Sequence, residues 1–312
     1  MIQDLLGIKY PIFQGGMAKV ATGTFAAAVS NSGGLGIIGA GGMTIDELEK
    51  EIALCHQLTT KPFGVNLMLM HPQAAEMADL IARSKVAVVT TGAGNPRQFL
   101  SMWKEKNIRI FPVVSSVVLA KKMESLGVDG VIAEGTESGG HVGEMTTMTL
   151  TPQVVDALQI PVIAAGGIAD GRQMMAAFAL GAQGVQIGTC LLTTKECPIH
   201  DNYKMALLKA KDNDTTVTGR IAGTPVRVIK NQMARDYIKK EKSGYTKEEL
   251  EQYTLGSLYK AVVEGDAANG SLMAGQVAGQ LHEILSIQEV LDQMMKSQEE
   301  TFLYLQKQRG IK

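Results

Sequence analysis

The 312-residue sequence is poor in cysteine, poor in aromatic residues and almost without net charge: three Cys, 5% Phe, Trp and Tyr, and 30 Lys+Arg against 31 Asp+Glu. Cys55, Cys190 and Cys197 show no C-x-x-C spacing, which excludes a disulfide framework and a zinc ribbon and suits a reducing compartment. The charge balance offers no electrostatic footprint for nucleic acid or an anionic membrane. No run reaches the roughly 18 apolar residues that a bilayer span needs. The opening MIQDLLGIKYPIFQGG lacks the cationic and long apolar segments of a signal or transit peptide. The expectation is a cytoplasmic chain with neither membrane nor nucleic-acid partner. H-x-x-H and H-E-x-x-H are absent, so no metal site is expected, and no G-x-G-x-x-G opens a helix in a βαβ unit as a Rossmann domain requires.

Glycine is abundant, with 34 residues, and it gathers at the ends of short apolar runs, where tight turns follow strands. Eight such runs read as strands buried on both faces: 11–14, 36–39, 63–66, 86–90, 109–113, 130–133, 161–165 and 184–187. Helical patterns separate most of them. Thr44 and Glu47 form a capping box for a helix over 44–57, Pro72 sits in the first turn of one over 71–84, and Pro96 follows a capping Asn95 in one over 95–106. Gly127 and Gly181 stand where a helix end favours a left-handed residue. Eight strand–helix units within the first two thirds of the chain favour an α/β fold, a closed (β/α)8 TIM barrel, over an open doubly wound sheet. The rhythm fails after Thr193. A helix over 202–211, a polar stretch over 212–245 carrying Lys230, Lys239, Lys240 and Lys242, and helices over 271–296 imply three parts: a barrel over 1–196, an inserted lid lobe over 197–270, and C-terminal helices over 271–312 returning to the barrel.

Function in such a barrel collects where strands end. The first strand ends Gln14-Gly15-Gly16-Met17, either a plain tight turn or a place where a flat ligand lies against backbone; the third ends at Asn66, an amide that serves a ligand or a helix cap equally well. Ser115 and Ser116 after the fifth strand read as ligand contacts or caps. The sixth junction, Glu134 to Gly143, is glycine-rich and holds His141 in a loop instead of on an amphipathic face, which favours a site role for this histidine over the other four. The seventh and eighth junctions, Ala165-Gly166-Gly167 and Gln186-Ile187-Gly188-Thr189, combine free backbone N–H groups with missing Cβ atoms, the makings of a phosphate site. Ser138 and His141 form no nucleophile elbow, so hydrolysis fits poorly.

PIFQGGMA, GVN, EGTESGGHVG, AAGGIADG and QIGT, in this order, resemble the FMN-dependent nitronate monooxygenase (2-nitropropane dioxygenase-like) superfamily. GGHVGEMTTMTL and GRIAGTPVRVIKN further resemble the flavin-dependent enoyl-acyl-carrier-protein reductase II family. The resemblance implies FMN at the barrel mouth, with the flavin ring near Gly15, Gly16, Met17 and Asn66. It implies a phosphate on Gly166, Gly167, Gly188 and Thr189, further contacts from Glu134, Ser138, Gly139 and Gln186, and His141 as the catalytic histidine. It also implies NADPH or NADH as co-substrate, acyl carrier protein bearing an enoyl chain as partner, a homodimer, and stimulation by a monovalent cation such as K+ or NH4+. The reaction implied is reduction of trans-2-enoyl thioesters in fatty-acid elongation. Nitronate oxidation on the same scaffold, and a noncatalytic phosphate-ligand-binding barrel, are the alternatives.

Overall fold

A computed structural model describes residues 1–308. Eight strands run parallel around one sheet: β1 (Ile12–Gln14), β2 (Gly36–Gly39), β3 (Phe63–Met68), β4 (Val88–Gly92), β5 (Arg109–Val114), β6 (Val131–Glu134), β8 (Val162–Ala165) and β9 (Gly184–Ile187), in the order β1-β9-β8-β6-β5-β4-β3-β2. The two-residue strand β7 (Gly140–His141) belongs elsewhere. The sheet closes between β1 and β2. Phe13 bridges Leu35, and the N–H groups of Gln14 and Leu35 donate to Leu35 O and Ile12 O at 2.9 and 2.8 Å. One step further along, the fully buried Gln14 side chain acts as backbone: its Nε2 donates to Ile37 O at 2.9 Å and its Oε1 accepts from Ile37 N. The amide thereby pairs groups that would otherwise be buried without partners. The architecture is a (β/α)8 barrel.

Helices α1 (Ile2–Leu6), α2 (Gly23–Asn31), α3 (Ile45–Leu58), α4 (Ala74–Arg83), α5 (Leu100–Glu105), α6 (Val117–Ser125), α7 (Thr147–Ala157), α8 (Gly171–Ala179) and α9 (Thr189–Leu192) accompany the strands. Inside the barrel Phe13, Ile37, Val88, Phe111, Ile132 and Ile163 pack together, with Phe13 and Phe111 meeting edge to face at 5.6 Å, and α1 plugs the lower end with Ile2 and Leu6. Two larger apolar layers lie between strands and helices. The interior is a packed core, so ligands are confined to the mouth.

The Thr44–Glu47 capping box forms as expected, and Gly127 and Gly181 adopt left-handed φ of 75° and 94°. Pro72 lies outside its helix. The His71 ring accepts from Gln73 N in a local turn, and α4 starts only at Ala74. Asn95 does cap, but Pro96–Phe99 winds as a 3-10 turn before α5 begins.

After β9 and α9 the chain leaves the barrel. It forms α10 (Asp201–Leu208), a hairpin of β10 (Thr215–Thr218) and β11 (Val226–Ile229), then α11 (Gln232–Lys242), α12 (Lys247–Thr254) and the short α13 (Ser257–Tyr259). Residues 271–275 are extended, not helical: Ile229 N donates to Leu272 O and Val228 bridges Met273, so this segment runs beside β11. The long α14 (Ile287–Gln308) then packs against α8 and α2, supplying the outer wall that follows β9. Gly171 allows that packing, because a methyl there would stand 2.1 Å from Gln298 N and 2.3 Å from Met294 O.

Candidate active site

The strand ends around the mouth form a continuous set of close approaches. A methyl on Gly16 would lie 2.3 Å from Asn66 Cβ, so β1's turn and β3's amide share one space. Asn66 Oδ1 accepts from Thr90 Oγ1 at 2.9 Å, which fixes the amide and leaves its Nδ2 hydrogens for another acceptor. Gly15 borders the buried Gln186, and the Met17 sulfur borders Gly188.

The loop after β6 is anchored at both ends. Gly135 N donates to Ala165 O at 2.9 Å, and the Glu137 carboxylate accepts from Thr147 N and Oγ1 at 2.9 Å each. Gly166 and Gly167 follow β8 with left-handed φ of 94° and 69°, a pair of conformations that side chains resist. Gly139 lies against the backbone of Ala274 and Gly275, where a Cβ would come within 2.8 Å. Thr189 Oγ1 accepts from Gly275 N at 2.9 Å, so the oxygen is already engaged and its hydrogen remains for a ligand. The expected residues around the mouth are thus brought together, and the segment 273–276 joins them from 86 residues away at Thr189 and from further still at Gly139.

Two buried hydroxyls in this loop are under-bonded: Thr136 Oγ1 has no hydrogen-bond partner among the described residues, and Ser138 Oγ faces only the Glu134 carboxyl. Unpaired buried hydroxyls are costly, and a polar ligand bound against the loop would satisfy them. Together with the cradle of Gly15, Gly16, Gly166, Gly167 and Gly188 and the free Asn66 amide, they fit a planar cofactor carrying an anionic tail. Burial pushes the Glu134 carboxyl up to about 7, against the Ser138 hydroxyl, which favours the carboxylate.

His141 stands at the open side of the mouth. Its ring is exposed, yet the surrounding protein withholds enough solvent to lower its pKa, which favours the neutral imidazole. The strand that carries it is not part of the barrel. β7 pairs antiparallel with β11, His141 opposite Val226 and Gly140 opposite Arg227, giving a three-stranded sheet in the order β10-β11-β7. Arg220 in the hairpin pairs with Glu144 on the far side of His141. The partnership of GGHVG with GRIAGTPVRVIKN is therefore physical: the inserted lobe holds the histidine.

Three of the other four histidines have local roles, and His282 is exposed. His56 meets Ser84 O and packs edge to face with Phe63, while His71 and His200 accept from nearby backbone N–H groups. Ser116 caps α6, and Ser115 packs against Gly143. Of the four lobe lysines, Lys240 lies over the rings of Tyr245 and Tyr253 and Lys230 donates to Asn213 O; Lys239 and Lys242 are exposed on α11. Among the described residues no three His, Cys, Asp or Glu side chains cluster as a metal would need, and no helix is long and apolar enough to cross a membrane. Sequence reasoning missed Glu137, Thr147, Arg227 and the Met273–Gln276 segment; a lone arginine inside the β-branched run VRVI was the one available signal.

A family model described as nitronate monooxygenase matches residues 1–83 and 76–297. The chain belongs to the nitronate monooxygenase family. It is accordingly a flavin-dependent oxidoreductase. Within the solved structures, FabK from Thermotoga maritima is 47% identical, covers 98% of each chain and superposes with a TM-score of 0.96. A probable nitronate monooxygenase of Staphylococcus saprophyticus is 36% identical, covering 86% of this chain and 87% of the relative. An octahydroindene-carboxyl-CoA dehydrogenase of Mycobacterium tuberculosis is 31% identical over 94% of each.

Proposed function

We propose that this family member reduces trans-2-enoyl thioesters carried on acyl carrier protein, with FMN as its bound cofactor and NADPH or NADH as reductant. The observation that carries the reading is the β7–β11 pairing: the lobe motif that resembles enoyl-acyl-carrier-protein reductase II is the strand that holds His141. The likeness to FabK, which runs through barrel and lobe alike, supports it. A relative named for a CoA-linked substrate agrees with a thioester.

Gly15, Gly16, Met17, Asn66 and Gln186 would hold the flavin ring, and Gly166, Gly167, Gly188 and Thr189 the phosphate, with Glu134, Ser138 and Gly139 closing the loop side. FMN, when bound, supplies hydride chemistry between nicotinamide and the thioester's conjugated double bond. The protein's part is position and polarity. Asn66 Nδ2 and Glu134, whose carboxyl burial pushes up to about 7, offer hydrogen bonds to polar ring atoms. His141, whose neutral form desolvation favours, donates an N–H to the thioester carbonyl, where negative charge grows as the double bond is reduced. The lobe sheet holds the backbone of Gly140 and His141 against β11 and so fixes where the imidazole enters the mouth.

A second reading, oxidation of alkyl nitronates, is supported by the Staphylococcus relative and by the same neutral imidazole, which can take a proton. One experiment separates them: an anaerobic visible spectrum of the FMN-loaded protein, recorded after NADPH or NADH and again after crotonyl-CoA. Bleaching of the flavin band followed by its return with crotonyl-CoA supports reduction. Bleaching of the oxidised flavin by an alkyl nitronate without any nicotinamide, with no return of the NAD(P)H-bleached band on adding the enoyl thioester, assigns the second reading.

A further inference from the structure

The cross-strand neighbour of Gly140 is Arg227, a residue only 6% exposed. It lies on β11 in the run Val226–Ile229, a place that an apolar residue would fill at lower cost, since a desolvated guanidinium is expensive unless a carboxylate repays it. No carboxylate stands within ion-pair distance of it among the described residues. Glu137 attracts it from further off, but that carboxylate is committed to Thr147, and Arg220 repels it. Burial and this repulsion disfavour its charge. Its bonds go instead to neutral groups on two separate segments. Nε donates to Thr136 O at 2.9 Å, and Nη1 donates to Thr215 Oγ1 at 3.1 Å. A planar fork can hold both at once at a set angle, whereas an ammonium is a point donor on a flexible stem.

Those two attachments have a shared consequence. Thr136 begins the loop that ends at Gly140 and His141, and Thr215 begins the lobe hairpin. β7 is two residues long, and so short a strand is weakly held by its own ladder. Beyond the ladder, Val142 N donates to Pro225 O at 3.1 Å. We infer that Arg227 is a positioning residue: its guanidinium ties the glycine-rich loop at Thr136 to the hairpin at Thr215 and thereby sets where the His141 imidazole stands over the mouth. The inference rests on the proposed catalytic role of His141.

The test uses FMN-loaded Arg227→Lys and Arg227→Ala beside wild type. His141 is titrated through its imidazole Cε1–H resonance, assigned with His141→Ala, and turnover of NADPH or NADH with crotonyl-CoA is followed separately. Arg227→Lys is expected to keep flavin stoichiometry and a KM within about twofold. Its kcat should fall about tenfold, the size of effect that a small misplacement produces, and its His141 titration should move up toward the ordinary histidine value. Millimolar guanidinium should restore part of the kcat of Arg227→Ala but not that of His141→Ala. An Arg227→Lys protein with unchanged titration and unchanged kcat overturns the inference, and it decides the matter even if Arg227→Ala does not fold. If wild type itself fails to turn over the thioester, the functional reading fails, while the His141 titration still judges Arg227.

Discussion

Asn66 occupies the space that any side chain at residue 16 would need: a Cβ there would sit 2.3 Å from Asn66 Cβ and 2.8 Å from its Nδ2. The turn after β1 and the amide on β3 are therefore one device, and neither can change alone. Gly16→Ala should push the Asn66 amide off Thr90 at a cost of about 1–3 kcal/mol, the usual range for overpacking. FMN affinity should drop at least about tenfold, a loss that 1.4 kcal/mol produces. Flavin fluorescence titration measures it; wild-type affinity in a folded Gly16→Ala protein would contradict the placement of the ring.

His141→Ala removes no contact from the glycine cradle, so bound flavin should be retained. Thioester reduction should fall by about 10²–10⁴, the scale of a lost proton donor. Reduction by NADPH or NADH, monitored as bleaching in a stopped-flow instrument, should stay within a few-fold of wild type. A variant impaired only in that half-reaction would place the histidine on the nicotinamide side instead.

Glu134 gives a pH signature. Folded protein holds its proton to about pH 7, while an unfolded carboxyl gives it up near 4.5. Between those values the folded state binds more protons than the unfolded state, so stability declines as pH rises through the window. The melting temperature of Glu134→Gln, which cannot ionise, should decline less than that of wild type between pH 5 and pH 8 in scans on the cofactor-free protein. Parallel curves for the two proteins would show that the carboxyl titrates normally.

Glu241 on α11 is buried, and its Oε1 accepts from the N–H groups of Ile221 and Ala222 at 2.9 and 3.0 Å, seating the tip of the lobe hairpin. Glu241→Ala leaves two amides without that acceptor and should cost about 1–3 kcal/mol. Hydrogen exchange should accelerate at 219–227 and, through the β11 ladder, at 140–142, with the barrel strands unaffected. Faster exchange spread evenly over the whole chain would deny the hairpin this local anchor.

All three thiols are buried, and desolvation pushes Cys55 and Cys190 up to about 12 and Cys197 to about 11. A disulfide reagent such as DTNB at pH 8 should label none of them in the native protein and three after denaturation. Rapid labelling of one thiol in the folded state would place it at the surface.

The barrel was legible because most strands are short apolar runs closed by glycine, β3 and β5 being the exceptions, a pattern that holds whatever the rest of the chain does. The mouth residues were legible for the same reason, as strand ends in a parallel barrel define their own neighbourhood. The hairpin Thr215–Thr218 and Val226–Ile229 was hidden inside a stretch whose charges dominate its composition, and its third strand, Gly140–His141, is too short to show any period. Ala274 and Gly275 were invisible on different grounds: they matter through a backbone approach to Gly139, and proximity across such a separation leaves no local mark. Pro72 misled because a proline favours the first turn of a helix in general, while here the His71 ring had already captured the Gln73 N–H.

The lobe is spliced between β9 and the helix that completes the ring, so α14 is the last wall to be made. During synthesis all eight strands emerge before any of residues 287–308 exist, and the apolar surfaces of α8 and α2 that Met294 and Leu291 will cover stay bare for the time taken to translate about a hundred residues. The nascent barrel thus has an unsealed seam, and it is over this interval that a chaperone would have the most to protect.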